Sequence, residues 1–138
     1  MKKQNAQDAQ FEALYAKANA AGEAAAKAMT PTPVAFQMAK GLDDGFDWNR
    51  PYDVVADGVC GFAWINIRPA SPKGQKDHPF VRYLRSIKVG RYESYAKAYQ
   101  IWIGGYNQSM QRKEAHAEAM AKVLQEAGIS AYAQSRMD

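Results

Sequence analysis

The sequence predicts an α/β chain: a long N-terminal helix followed by a small β-α-β-α-β sandwich with a three-stranded sheet, with an α+β sheet as the alternative. Three observations carry this. Residues 4–29 are rich in alanine, glutamate, lysine and glutamine and repeat apolar residues every three or four positions. Residues 61–68, 99–103 and 129–137 each alternate with period two. Between these strands lie two segments with helical start and stop signals. At 138 residues and 47% hydrophobic content, one domain is expected, in which 1–29 form the helix, 30–59 a loop-rich connection and 60–138 the core.

The first helix carries Phe11, Leu14, Tyr15, Ala18, Ala21, Ala25 and Met29 on a narrow stripe, weakened by Gly22. Thr30-Pro31-Thr32-Pro33 ends it, because proline lacks the donor a helix needs. An alanine-rich stripe of this length makes a marginal coiled coil, so docking on the body is favoured over a homo-oligomer formed through residues 1–29. A short helix is expected around Val34 to Lys40, then ordered loop. Asp43, Asp44 and Asp47 lack the alternating ligands and distal glutamate of a calcium loop, so no metal is expected there.

Strand Cys60 to Arg68 comes next, followed by the loop Pro69 to Lys76 and a helix opened by Asp77-His78-Pro79, with a proline where the first turn tolerates it. Phe80, Leu84 and Ile87 form its buried stripe, with Arg82, Arg85 and Lys88 off it. Gly90 stops the helix, a tyrosine-rich linker follows, and Tyr99 to Ile103 forms a strand before the Gly104-Gly105-Tyr106 turn. The last helix starts near Gln108 or Ser109 and ends at Gly128, with His116, Met120, Val123, Leu124 and Ala127 inward and Ala117 beside them.

Alternation divides the sheet into two faces. One is aliphatic, built on Ala63, Ile65, Ile67, Ile101, Ile103 and Ala131; the other carries Phe62, Trp64, Asn66, Arg68, Trp102, Tyr132 and Arg136. Aromatic rings flanked by fork-shaped donors suit stacking on planar ligands. Because large exposed apolar patches are rare, the first helix is expected to cover this second face.

Charge is concentrated rather than spread. The net charge is +4, yet between Arg68 and Lys97 eight basic residues face only Asp77 and Glu93. A local basic stretch is the electrostatic footprint of an anionic polymer, so Arg82, Arg85, Lys88 and Arg91 are candidate nucleic-acid contacts. A second candidate is the turn and helix start, where Asn107, Ser109, Arg112, Lys113 and His116 stand near free backbone N–H groups that suit a phosphate or carboxylate. The Gly-Lys-Ser/Thr ending of a Walker loop is absent.

No catalytic motif and no cofactor site emerges, and the two histidines give no metal-ligand spacing. Cys60-Gly61-Phe62-Ala63-Trp64 is similar to the cysteine neighbourhood of papain-like proteases, but alanine stands at the nucleophile position. A lone cysteine excludes an internal disulfide and is expected to be buried. No apolar run is long enough to span a bilayer, so no membrane partner is expected and the chain reads as soluble and cytoplasmic.

Gln100-Ile101-Trp102-Ile103, Tyr106 to His116, the closing Ser135-Arg136-Met137-Asp138 and Gly61 to Arg68 together resemble small uncharacterised proteins encoded in tailed-bacteriophage genomes. The resemblance covers roughly the last 80 residues. It implies a host bacterial cell or a virion as setting and brings no catalytic residues with it. The expected function is a non-enzymatic, basic accessory protein that binds nucleic acid or a nucleic-acid-handling host protein. The alternatives are an assembly protein that oligomerises through the first helix or the aromatic face, and an enzyme or anion binder at Asn107 to His116.

Overall fold

A computed structural model describes residues 6–38 and 45–138 of the chain. The expectations placed on Gln4, Asn5, Lys40, Asp43 and Asp44 lie outside the described residues. The described residues form three α-helices and two antiparallel sheets: α1 (Ala6–Ala28), β1 (Val34–Phe36), β2 (Asp53–Val55), β3 (Gly61–Arg68), α2 (Pro79–Ser86), β4 (Arg91–Glu93), β5 (Ala98–Trp102), α3 (Met110–Glu126) and β6 (Ser130–Met137). The mixed α and β class is therefore as read from the sequence.

The main sheet has four strands in the order β4-β5-β3-β6, all antiparallel. From β3 onward the chain runs β-α-β-β-α-β with the two longest strands, β3 and β6, paired along their full lengths. This is the split β-α-β order, and it makes the sheet the α+β alternative. The fourth strand, Arg91–Glu93, falls in the expected linker; it pairs Arg91 with Gln100 and Glu93 with Ala98. Glu93 accepts from Tyr95 N and Ala96 N, which folds the β4–β5 turn.

The helices pack on one face only. Ala63, Ile65, Ile67, Ile101, Ile103 and Ala131 meet Phe80, Val81, Leu84, Met120 and Leu124 in a single core. His78 caps α2 by accepting from Phe80 N, with Pro79 at the first position. Asp77 is buried and accepts from Arg85 Nε at 2.7 Å and Ser71 N at 2.9 Å, which ties α2 to its leading loop. Ile87, placed on the buried stripe by spacing, is 40% exposed because the helix ends at Ser86; Val81 and Tyr83 are buried instead. On α3, Ser109 is the cap and Ala121 takes the inward place expected of Ala127.

α1 lies across α3 and touches α2, where Phe11 meets Phe80 edge-on at 5.4 Å. Ala18, Gly22 and Ala26, four residues apart, are the buried positions of α1 and bring the two backbones close. The contact is tightest at Gly22, where an added Cβ would stand 2.4 Å from His116 Cδ2. Gly22→Ala should thus lower stability by about 1–2 kcal/mol in urea titration, the crowding at His116 outweighing alanine's better helix propensity. A gain in stability would mean that α1 sits further from α3.

Three further expectations are corrected. Val34 to Phe36 form a strand rather than a helix, paired with Asp53 to Val55; a three-residue apolar run carries no period of its own, and its partner strand decides. Cys60 is exposed, because it precedes the buried part of β3 and meets Ser109 only in an isolated bridge. The aromatic face is not covered by α1, which packs against the helical layer on the other side.

Candidate nucleic-acid interface on the open sheet face

Cross-strand register assembles the open face. Trp64 on β3 stands opposite Trp102 on β5 and Gln134 on β6; Asn66 stands opposite Gln100 and Tyr132; Phe62 stands opposite Arg136. Directly opposed residues share a face, so Arg91 and Glu93 of the edge strand join through their pairing with Gln100 and Ala98.

The rings form one cluster. Trp64 and Trp102 are stacked, 4.7 Å between centroids and 17° between planes, and Phe62 meets Trp102 edge-on at 5.9 Å. Arg136 lies over the Phe62 ring at 5.4 Å. Trp102 is 39% exposed and Tyr132 58%. Tyr95, at the tip of the β4–β5 turn, is 96% exposed. A groove of about 470 Å³ runs past these rings, with Arg91, Glu93 and Arg136 on its walls.

Beneath the rings lies a row of amides. Trp102 Nε1 donates to Gln100 Oε1 at 2.9 Å, Gln100 Nε2 to Asn66 Oδ1 at 2.8 Å, and Asn66 Nδ2 to Gln134 Oε1 at 2.7 Å. Asn66 and Gln100 are buried, which is affordable only because each is bonded in this row. Trp64 Nε1 is buried with no hydrogen-bond partner among the described residues. Arg68 is exposed at the edge of the face, where it donates to Ala96 O at 2.8 Å.

The basic helix belongs to the opposite layer. Arg82 and Lys88 are exposed there, while Arg85 is half-buried, paired with Asp77 and set over the Tyr99 ring at 5.2 Å. Tyr99 points away from the open face, opposite Ile67. The arginines on the side of the rings are Arg91 and Arg136 on the groove walls and Arg68 at the edge of the face, and not Arg82. Gln100, Gln134, Glu93 and Tyr95 are members of the face that the sequence reading did not select as site residues.

The start of α3 is a different place, and its groups are committed to the fold. Ser109 Oγ donates to Asp57 O at 2.7 Å and accepts from Arg112 N. Arg112 Nη1 donates to Ala26 O at 2.8 Å, in the last turn of α1, where a cation suits the helix dipole. Lys113 is buried, and its Nζ donates to Gly61 O and Gln108 Oε1. Asn107 is exposed at φ 50 in a left-handed turn and lines a cleft of about 570 Å³ with Glu23, Asp57 and Arg112. Lys27 lines it too, so the two carboxylates are matched by two cations, with Arg112 Nε 3.9 Å from Asp57.

His116 links the layers of helices. Glu23 can only accept, so Asn19 Nδ2 faces it and Asn19 Oδ1 faces His116 Nε2, leaving Nδ1 for the Tyr106 hydroxyl at 2.7 Å. Burial favours the neutral ring and holds its pKa below the ordinary histidine value, opposed in part by Glu23. His78 is lowered as well, by burial and then by Arg82. With both folded-state values depressed, the unfolded chain takes up protons first as pH falls below about 6.5, and stability declines until the folded values are reached. Unfolding midpoints should fall between about pH 7 and pH 5, and less steeply in His116→Gln. A midpoint independent of pH over this interval would contradict the neutral, buried ring.

No cluster of three or more His, Cys, Asp or Glu side chains capable of holding a metal is found among the described residues. No described helix is long and apolar enough to cross a membrane. The chain matches no protein-family model, no curated protein and no solved structure.

Proposed function

We propose that this chain is a non-enzymatic binder of single-stranded nucleic acid and that the strand lies on the open face of the β4-β5-β3-β6 sheet. The observation that carries the reading is the stacked Trp64–Trp102 pair on the two central strands, uncovered by any described helix and ringed by Arg68, Arg91 and Arg136. Bases have π-faces of matching size, and stacking on an aromatic side chain tolerates every base. Four-stranded sheets with aromatic residues on an uncovered face are an established means of holding two or three unpaired bases. Duplex DNA keeps its bases stacked inside and offers such a platform only phosphates.

The role of Arg82 and Lys88 is then secondary: they add positive charge on the helical side and suit a strand that leaves the sheet and turns around its edge. An enzyme or anion site at Asn107 to His116 is not proposed, since Arg112, Lys113, Ser109 and His116 are each bonded within the fold. The resemblance to small proteins of tailed phages supports an accessory role in an infected bacterial cell, or in a virion.

The test is titration with single-stranded and duplex oligonucleotides in a Trp48→Phe background. Trp48 is 69% exposed outside the sheet and would obscure the signal from Trp64 and Trp102. Quenching by single strands, with affinity falling as salt rises at a slope of about 0.7 per phosphate contacted, is the expected result. No quenching by either DNA or RNA single strands at low salt would sink the reading.

A further inference from the structure

We propose that β6 is a pairing edge whose occupant is a second copy of this chain, bound antiparallel along β6 about Ser135, so that two four-stranded sheets become one of eight strands. This goes beyond the single-strand reading and does not rest on it. In an antiparallel ladder the N–H and C=O of one residue point to the same side, and those of the next residue to the other. Asp138 N donates to Cys60 O at 3.1 Å, so Phe62, Trp64, Asn66 and Arg68 exchange their bonds with Arg136, Gln134, Tyr132 and Ser130. Ile103 N meets Ala63 O at 3.0 Å on the β5 side, as that alternation requires. The backbone groups of Ala131, Ala133, Ser135 and Met137 therefore point away from β3. Gln125 Nε2 donates to Ala131 O at 2.6 Å. The backbone groups of Ala133, Ser135 and Met137 have no partner among the described residues.

A bare edge is a template for another strand, and folds blunt it with short strands, charges, proline or bulges. The β4 edge is blunted: it has three residues, Arg91, Tyr92 and Glu93, and two of them are charged. The β6 edge has eight residues, an unbroken register with β3, no proline and no lysine, and its one charge, Arg136, faces the open side. A chain with one adhesive edge closes as a pair and does not grow into a fibre, and a two-fold pair satisfies the same edge on both copies.

The free groups set the register. Centring the axis on Ser135 opposes Ser135 to itself and Ala133 to Met137 of the second copy, so each free residue exchanges two backbone bonds and the ladder stops where Gln125 already holds Ala131. The side chains agree. Ala133, Ser135 and Met137 lie on the helical side of the strand, and Met137 is 65% exposed. Beside Ala133, against Glu114 and Glu118, is a cavity of about 30 Å³, the size of a water or a methyl group. Met137 of the second copy arrives at that place. An axis normal to the sheet keeps both open faces on one side, with Gln134 of each copy opposite Arg136 of the other. Like charges also approach: Glu114, held by Ser135 Oγ at 2.9 Å on the helical side, and Arg136 on the open side each meet their own mate near the axis. Salt screens both.

The experiment measures mass by light scattering at about 100 μM, where a micromolar pair is mostly associated, in high salt, which also strips carried-over nucleic acid. The unmodified chain should weigh twice 15.3 kDa, and Ser135→Pro and Met137→Asp should each weigh 15.3 kDa. Ser135 N–H is not used by β3, so proline removes a donor from the free edge alone. Met137→Asp changes an exposed side chain and sets a carboxylate against Glu114 and Glu118 of the second copy; it stands if the proline variant fails to fold. Amide exchange locates the contact. Ala133, Ser135 and Met137 should be protected in the unmodified chain and exchange freely in Met137→Asp, with Tyr132, Gln134 and Arg136 protected in both. A monomeric unmodified chain would overturn the pair. So would a dimer that survives both substitutions or leaves those three amides unprotected, since it forms through another surface. Absence of single-strand binding with the pair intact would overturn the functional reading alone.

Discussion

Phe80→Ala is expected to remove about 3–5 kcal/mol of stability and to lower the melting temperature by about 10 °C or more. Phe80 is fully buried and stands where three elements meet. Its ring faces Phe11 of α1 edge-on at 5.4 Å and stacks with Tyr83 of α2 at 6.2 Å, and Phe11 in turn lies 6.0 Å from Tyr83. Truncation leaves a cavity between helices that are held over the sheet by this cluster, and rigid neighbours such as Val81 and Leu84 cannot collapse into it. Denaturant titration gives the magnitude, and amide exchange gives the location: protection should be lost first in the N-terminal half of α1. A loss below about 1 kcal/mol would mean that α1 does not dock through Phe11. Phe80→Leu, which fills most of the volume, should lose less.

The sequence made α1, β3, α2, α3 and β6 legible because each is long enough to show its period and is punctuated by residues with a mechanism, such as Pro31, Pro79 and Gly128. It did not make β4 legible. Arg91-Tyr92-Glu93 is too short for alternation to register, and only pairing with β5 gives it a strand's geometry. Its omission also removed Glu93 and Tyr95 from the candidate site. Which face α1 would cover was equally hidden. Its stripe mixes alanine with Phe11, Leu14 and Tyr15 and would fit either side of the sheet, and its closest approach to the body is at Gly22, which helix propensity marked as a weakness. In the fold, Gly22 is the point where α1 meets His116. The direction of the amide row was beyond the sequence for another reason: it depends on Trp102 and Gln100 being two residues apart on one strand and Asn66 and Gln134 lying diagonally across two others.

Trp102→Ala is expected to weaken single-strand binding by about tenfold to a hundredfold, the worth of one stacked base at 1–3 kcal/mol. Trp102 is the more exposed member of the stacked tryptophan pair, at 39%, so it is the ring a base would meet first. Its removal should leave the slope of affinity against salt unchanged, since no phosphate contact is lost. Arg136→Gln should do the converse: a smaller loss of affinity and a slope reduced by about 0.7, the share of one phosphate on a single strand. Arg82→Gln, on the opposite layer, should change neither for an oligonucleotide of a few bases. This pattern separates a strand held on the open sheet from one held on the basic helix. If Arg82→Gln reduces affinity as much as Trp102→Ala does, the strand runs along α2, and the aromatic face serves another surface. Stability guards the interpretation. Trp102 is only partly buried, so Trp102→Ala should unfold within about 2 kcal/mol of the unmodified chain, and a folded variant that has lost binding isolates stacking as the cause.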